Sequence, residues 1–196
     1  MSREMTKSHK LRLRHGDYEW MKGRVLDIGC GNDPIDLPPP STVRGWDMQD
    51  GDAQQLVTLR DNTFDVVVSS HCLEHMRDPQ VALKNWSRVL RPGGYCYILV
   101  PLYSAYEKQH DFKFGEAKFN PDHKTSWDLV SVDPPKNHPH YDYKALVTLG
   151  RNAGLALHDL RMELDGFHWD KWNDPAFDST QEGGLAQLCV IYRKEA

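Results

Sequence analysis

The run Asp65-Val66-Val67-Val68-Ser69-Ser70 constrains this chain more than any other segment. Three valines in succession leave no alternation of apolar and polar positions. A strand of that kind needs cover on both faces, as in a parallel sheet flanked by other elements. Phe64 to Ser69 (FDVVVS) therefore reads as a buried strand, and so do Arg24 to Ile28 (RVLDI), Val43 to Asp47 (VRGWD) and Tyr95 to Val100 (YCYILV). Leu155 to Leu164 and Ala186 to Arg193 read as two closing strands. A helix follows Asp78, a good N-cap with Pro79 at the first helical position. Its inner face is Ala82, Trp86, Val89 and Leu90, and Arg91-Pro92-Gly93-Gly94 stops it. A second helix begins after Asp142, turns Leu146, Leu149 and Ala153 inward and ends at Gly154. Strands alternating with helices predict an α/β fold with a mostly parallel sheet.

The length of 196 residues fits one domain spanning 1–196, with an N-terminal extension over 1–22 and an insertion over 102–141. The 24 basic and 28 acidic side chains give a net charge of −4, which argues against bulk, sequence-independent binding of nucleic acid. The four cysteines (Cys30, Cys72, Cys96 and Cys189) form no C-x-x-C pair and lie in or beside apolar stretches, as reduced thiols do. Residues 1–15 contain no apolar leader core, and the longest nearly apolar run, Cys96 to Tyr103, is strand-sized. A cytoplasmic protein without a membrane span is the expectation; oligomeric state is not readable.

Two segments escape the strand–helix pattern. Residues 1–22 are polar and carry Arg3, Lys7, Lys10, Arg12, Arg14 and Lys22. They read either as a solvated, partly frayed terminus or as a flap over a site or a contact for an anionic partner. Residues 102–140 hold Pro121, Pro134, Pro135 and Pro139 with the aromatics Tyr103, Tyr106, Phe112, Phe114, Phe119 and Trp127. A segment this long without periodicity is a candidate substrate lid. The stretch 165–177 reads as a surface loop.

Ligands of a parallel sheet bind beyond the carboxyl ends of its strands. The first strand ends in Asp27-Ile28-Gly29-Cys30-Gly31 and the second in Asp47-Met48, with Gly51-Asp52-Ala53 just after. The third ends in Ser69-Ser70-His71-Cys72-Leu73-Glu74-His75. Gly29 and Gly31 permit a sharp turn and a close ligand approach. Asp47 suits the two hydroxyls of a ribose, Asp52 an exocyclic amine and the thioether of Met48 a purine face. Asp27 suits the loop or a ligand ammonium group.

These residues resemble the class I S-adenosylmethionine-dependent methyltransferases, in the small subgroup with an L-D-I-G-C-G loop. The resemblance spans residues 22–101 and rests on Val25 to Gly31, Gly45-Trp46-Asp47, Gly51-Asp52-Ala53, Phe64 to His75 and Leu90 to Gly94. It implies a Rossmann-like fold with S-adenosylmethionine as cofactor. It also implies that Gly29, Cys30 and Gly31 pack on the methionine part, Asp47 holds the ribose, Asp52 and Ala53 edge the adenine, and Ser70 and His71 lie near the sulfonium. The chain departs from the family in three places. Asp33 replaces the third loop glycine, PIDLPPP is too rich in proline for a regular helix, and only four residues separate Asp47 from Asp52. A compact variant lacking one edge strand is expected. A dinucleotide-binding dehydrogenase is disfavoured, because Asp33 would stand where a pyrophosphate comes close.

In-line methyl transfer needs positioning and exclusion of water, with a base where the nucleophile must lose a proton. His71 and His123 are the candidate catalytic groups, with cofactor packing and lid anchoring as their respective structural alternatives. His123 lies in Asp122-His123-Lys124, which resembles a stretch of methyltransferases acting on sugars or similar polar metabolites. Tyr103, His123 and Trp127 are candidate substrate contacts. Glu74 is expected to stabilise its loop. His138 and His140 specify no third ligand, so no metal is expected. The acceptor expected is a small polar metabolite or glycan. The alternatives are a macromolecular acceptor, RNA or protein, and a non-catalytic cofactor-binding protein on the same fold.

Overall fold

The computed structural model describes residues 4–107, 122–130, 139–172 and 179–195. Among the described residues eight strands are formed: β1 (Arg24–Ile28), β2 (Thr42–Trp46), β3 (Phe64–Ser70), β4 (Leu90–Pro101), β5 (Ser126–Trp127), β6 (His140–Tyr141), β7 (Leu155–Glu163) and β8 (Gln187–Lys194). Six make one sheet in the order β2-β1-β3-β4-β8-β7. β1 to β4 run parallel, and β8 is antiparallel to both β4 and β7. β5 and β6 form a separate two-residue parallel pair. This is the Rossmann-like arrangement expected. β2 is the sheet edge, since the short Asp47–Asp52 connection leaves no room for an outer strand.

The α-helices among the described residues are α1 (Glu4–Lys7), α2 (His9–His15), α3 (Pro79–Val89) and α4 (Tyr143–Asn152). Asp78 caps α3 by accepting from the backbone N–H of Gln80 and Val81 at 2.9 and 3.1 Å. Asp142 caps α4 through Ala145 at 2.9 Å. Both helices pack on one sheet face, where Leu83, Trp86, Leu146 and Leu149 meet Val67, Ile98 and Val190. The opposite face carries Val25, Val66, Val68 and Leu99, covered by Met5, Met21, Ile35 and Leu37. The valine run is therefore buried on both sides. On the second face the cover comes from α1 and the proline-rich loop, because no helix follows β1.

Several boundaries move. Asp47 lies just past β2, and β4 begins at Leu90. The Arg91–Gly94 segment is absorbed into β4 as a register shift, with Phe64 opposite Leu90 and Val66 opposite Tyr95. Over residues 4–22 the reading as a frayed terminus is corrected. Met5, Leu11 and Arg12 are buried, and the Arg12 guanidinium donates to the Met5 carbonyl at 2.5 Å and to the Tyr18 hydroxyl at 2.9 Å. Long basic side chains bury their stems while keeping their heads bonded, so a charged segment can still coat a core. Within the 102–141 insertion, Leu102 bridges to Trp127 and Tyr103–Glu107 makes a π-helical turn. Phe112, Phe114, Phe119 and His138 lie outside the described residues, as does most of the expected lid. In the 165–177 stretch, Trp169–Lys171 forms one turn with Trp169 exposed. Among the described residues no helix is long and apolar enough to cross a membrane.

Candidate active-site cleft

The tips of β1, β2 and β3 converge as the spacing predicts. Gly29 N–H donates to the Trp46 carbonyl at 2.8 Å, which ties the first loop to the end of β2. Gly29 has φ +74°, and a Cβ there would stand 2.6 Å from both the Cβ and the Sγ of Cys72. Only glycine satisfies both the left-handed backbone and that approach. Gly31 is also left-handed, at φ +50°.

Two connected cavities open above these tips. One, of about 760 Å³, is lined by Gly29, Asp47, Met48, Gly51, Asp52, Ala53, Cys72, Met76 and Asp122. The other, of about 640 Å³, is lined by Asp27, Gly29, Cys30, Gly31, Asn32, Asp33, Ser70, Glu74, Tyr106 and His123, with Glu4 and Met5 of α1 as a further wall. Gly29, His71 and His75 border both, so they form one cleft.

At the outer end, a tight turn presents Asp47. Its N–H is bonded by Asp50 Oδ2 at 3.0 Å, and its Oδ1 accepts from Met48 N–H at 2.8 Å. Asp52 Oδ1 accepts from Gln54 N–H at 2.8 Å, and the Ala53 carbonyl is held by the Trp86 indole at 2.9 Å. Met48 is 91% exposed, free to lie over a planar ligand.

At the floor, Asp27 is buried. Its Oδ2 accepts from Ile35 N–H at 2.7 Å, whereas its Oδ1 has no hydrogen-bond partner among the described residues. Burial pushes this carboxyl up from its ordinary 3.8 to about 6, partly offset by the Ile35 amide and the charge of Arg12. Ser70 Oγ is a second buried orphan, of a residue lining the same cavity. An unpaired buried carboxylate oxygen is costly alone and suits a cationic ligand group. That orphan, the glycine approach at Gly29 and the acidic turn at Asp47 fit an amino-acid nucleoside carrying a positive charge.

His71 holds φ +50°, a strained value for a side-chain-bearing residue. Its N–H donates to the Leu99 carbonyl at 2.9 Å, and its Nε2 lies 3.0 Å from Gln187 Oε1. His123 is buried at the inner end, 4.8 Å from the His75 ring and 6.4 Å from the Tyr106 ring, centroid to centroid. The other two expected substrate contacts lie elsewhere. Trp127 is fully buried and stacks on Tyr141 at 4.7 Å, and Tyr103 is buried with its ring 5.7 Å from His140. Neither lines the cleft; both are aromatics consumed by the core. The expectation for Glu74 also changes. The loop bonds come from its backbone carbonyl, which accepts from Lys124 N–H at 2.7 Å, while the carboxylate faces the cleft. Glu4, Met5 and Gln187 carry no signal in the sequence, and Tyr106 is marked there only as one aromatic of the expected lid. Of the thiols, Cys72, Cys96 and Cys189 are buried, and Cys30 is half-buried.

The chain is similar to known proteins in the same sense. A family model described as a methyltransferase domain matches residues 34–98. A ubiquinone biosynthesis O-methyltransferase of Parvibaculum lavamentivorans is 26% identical over 76% of this chain and 65% of its own length. An uncharacterized methyltransferase of Schizosaccharomyces pombe is 44% identical over 45% of this chain and 44% of its own. The chain thus spans under two thirds of each of these relatives. Among solved structures, a Bacillus halodurans protein described as a candidate methyltransferase superposes with a TM-score of 0.60 at 16% identity, covering 95% of this chain and 99% of that one.

Proposed function

From the premise that the chain is a class I S-adenosylmethionine-dependent methyltransferase by domain family and fold, we propose that it binds S-adenosylmethionine in the cleft and methylates a small polar metabolite or glycan. The observation that carries this reading is the pairing of an unsatisfied buried Asp27 oxygen with the glycine turn at Gly29 and the exposed acid turn at Asp47.

When bound, S-adenosylmethionine supplies an electrophilic methyl carbon on a sulfonium. The chain's residues do the rest. Asp27 Oδ1 takes the amino group, and Gly29 to Gly31 let the backbone come close along the methionine part. Asp47 accepts from the ribose hydroxyls, Asp52 and Ala53 border the base, and Met48 covers it. His71, fixed by Gln187, stands at the junction of the two cavities beside Ser70. The inner cavity, walled by Glu4, Met5, Tyr106 and His123, holds the acceptor in line and excludes water. His123 is positioned to take an acceptor proton; such a base contributes about 10²–10⁴-fold. The methionine part, along Asp27 and Gly29 to Gly31, shares the cavity of about 640 Å³ with the acceptor, and the remaining polar space favours a small acceptor over a macromolecule.

Calorimetric titration with S-adenosylmethionine tests the reading. Binding by the wild type that falls at least tenfold in Asp47→Ala is expected, since hydrogen bonds to a charged group contribute about 1.5–3 kcal/mol. Unchanged affinity in that variant contradicts the ribose role, and no binding by the wild type contradicts the cofactor. Formation of S-adenosylhomocysteine with polyhydroxylated acceptors tests the transfer.

A further inference from the structure

We propose that Glu74, His75 and His123 form a binding site for a divalent transition-metal ion at the inner end of the cleft. The sequence specified no such site, because the three ligands come from two separate segments. The ion-binding claim stands apart from methyl transfer. Only its consequence for the acceptor rests on the reading above.

The Glu74 carboxylate is 1% exposed, and neither of its oxygens has a hydrogen-bond partner among the described residues. Around its Oε1 stand three imidazole nitrogens: His75 Nε2 at 3.8 Å, His123 Nε2 at 3.9 Å and His71 Nδ1 at 3.9 Å. These separations exceed a hydrogen bond, which needs about 2.7–3.2 Å. They approach the spacing of ligand atoms around one ion, because bonds of about 2.0–2.2 Å in a tetrahedron put ligand atoms roughly 3.4 Å apart. One ligand atom each from Glu74, His75 and His123 lies within 4.8 Å of the others.

The protons of two of these rings are fixed by what the far nitrogens touch. His75 Nδ1 lies 3.1 Å from the Asp122 carbonyl oxygen, so it donates there and Nε2 presents a lone pair towards Glu74. The Gln187 amide nitrogen donates to Ser8 Oγ at 2.8 Å and to Glu163 Oε2 at 2.6 Å, so its Oε1 must accept from His71 Nε2. His71 Nδ1 then also presents a lone pair to the carboxylate. The lone pairs of His75 Nε2 and His71 Nδ1 thus face a buried acid, and a cation among Glu74, His75 and His123 neutralises it. An imidazole that donates its second N–H to a carbonyl is the usual outer support of a metal-ligating histidine.

Two imidazoles and one carboxylate suit zinc, manganese, iron(II) or cobalt rather than calcium or magnesium. Glu74, His75 and His123 all line the acceptor cavity, so the remaining coordination position faces it. An ion there would hold an oxygen of the acceptor and lower its affinity for its proton, and with the ion bound His123 would serve as a ligand instead of as the base. The acceptor class narrows accordingly to molecules that methylate on a hydroxyl.

Chelator-stripped protein, titrated with Co²⁺ and followed by its visible absorption, tests the site, with Zn²⁺ displacing the cobalt. One equivalent is expected in the wild type, with affinity at least tenfold weaker in Glu74→Gln and in His123→Ala. Thermal unfolding and far-ultraviolet circular dichroism establish that the variants fold. Equal cobalt binding by wild type and variants, marking adventitious sites on other histidines, overturns the proposal. So does the absence of any saturable binding. A separate titration with S-adenosylhomocysteine keeps the two readings distinct: cobalt binding without nucleoside binding supports the ion site and refutes the cofactor reading, and the reverse result overturns the ion site.

Discussion

Gln187 Oε1 lies 3.0 Å from His71 Nε2, joining the first residue of β8 to the tip of β3. Gln187 is fully buried and also bonds Ser8 and Glu163. One amide thus ties α1's neighbour, the closing strands and the cleft together. Gln187→Leu strands two buried partners, Ser8 and Glu163, each costing about 1–3 kcal/mol, and releases the half-buried His71. A fall of several degrees in Tm is expected, with His71 losing its orientation. Calorimetric and ligand-binding measurements on the variant check this; an unchanged Tm contradicts it.

Asp27 sets a pH dependence. Its folded-state value of about 6 lies above its ordinary 3.8, so the folded chain holds the proton more tightly. This contribution favours the fold fully below about pH 4 and is lost as the pH rises to 6. The loss amounts to about 3 kcal/mol by linkage, at 1.36 kcal/mol per tenfold. Asp27→Asn is therefore expected to unfold at a higher denaturant concentration than wild type at pH 8, with the advantage vanishing near pH 4. The same variant is expected to bind S-adenosylmethionine at least tenfold more weakly, and wild-type affinity is expected to fall below pH 6. A stability profile that is flat from pH 4 to 7 in the difference between the two proteins contradicts the assignment.

Gly29→Ala combines a left-handed backbone with a Cβ at 2.6 Å from Cys72. A loss of about 1–3 kcal/mol is expected from the strain alone, with nucleoside binding abolished. Cys72→Ala is not expected to rescue it, because the Cβ of residue 72 stands as close as the sulfur. Urea unfolding of the single and double variants distinguishes the two contacts.

Trp127 is expected to behave as a core residue. Trp127→Ala should cost about 3–5 kcal/mol. Trp127→Phe should retain the stacking on Tyr141 and leave the KM for any acceptor within about twofold of wild type, since phenyl–phenol contact is worth about 0.5–1.5 kcal/mol. A large KM change without loss of Tm would return Trp127 to the acceptor site.

The legible parts of this molecule were those whose pattern is local. The valine run of β3, the capping aspartates and the strand-tip acids each declare themselves within a few residues. What stayed hidden depends on partners far away in sequence. Gln187 reads as an ordinary polar residue before an apolar run until His71 is placed beside it. Glu74 reads as a loop acid until three imidazoles surround it. Trp127 sits in a proline-rich stretch whose composition resembles a lid, yet its indole is needed under β6. Arg12 and Met5 look solvated because basic residues flank them, although one face of that segment coats the sheet.

The wall that Glu4 and Met5 contribute has a practical corollary. A purification tag or fusion partner attached ahead of α1 would emerge at the rim of the acceptor chamber. Assays intended to discover the natural acceptor are best run with the added sequence at the opposite terminus, where β8 ends away from the strand tips that build the cleft.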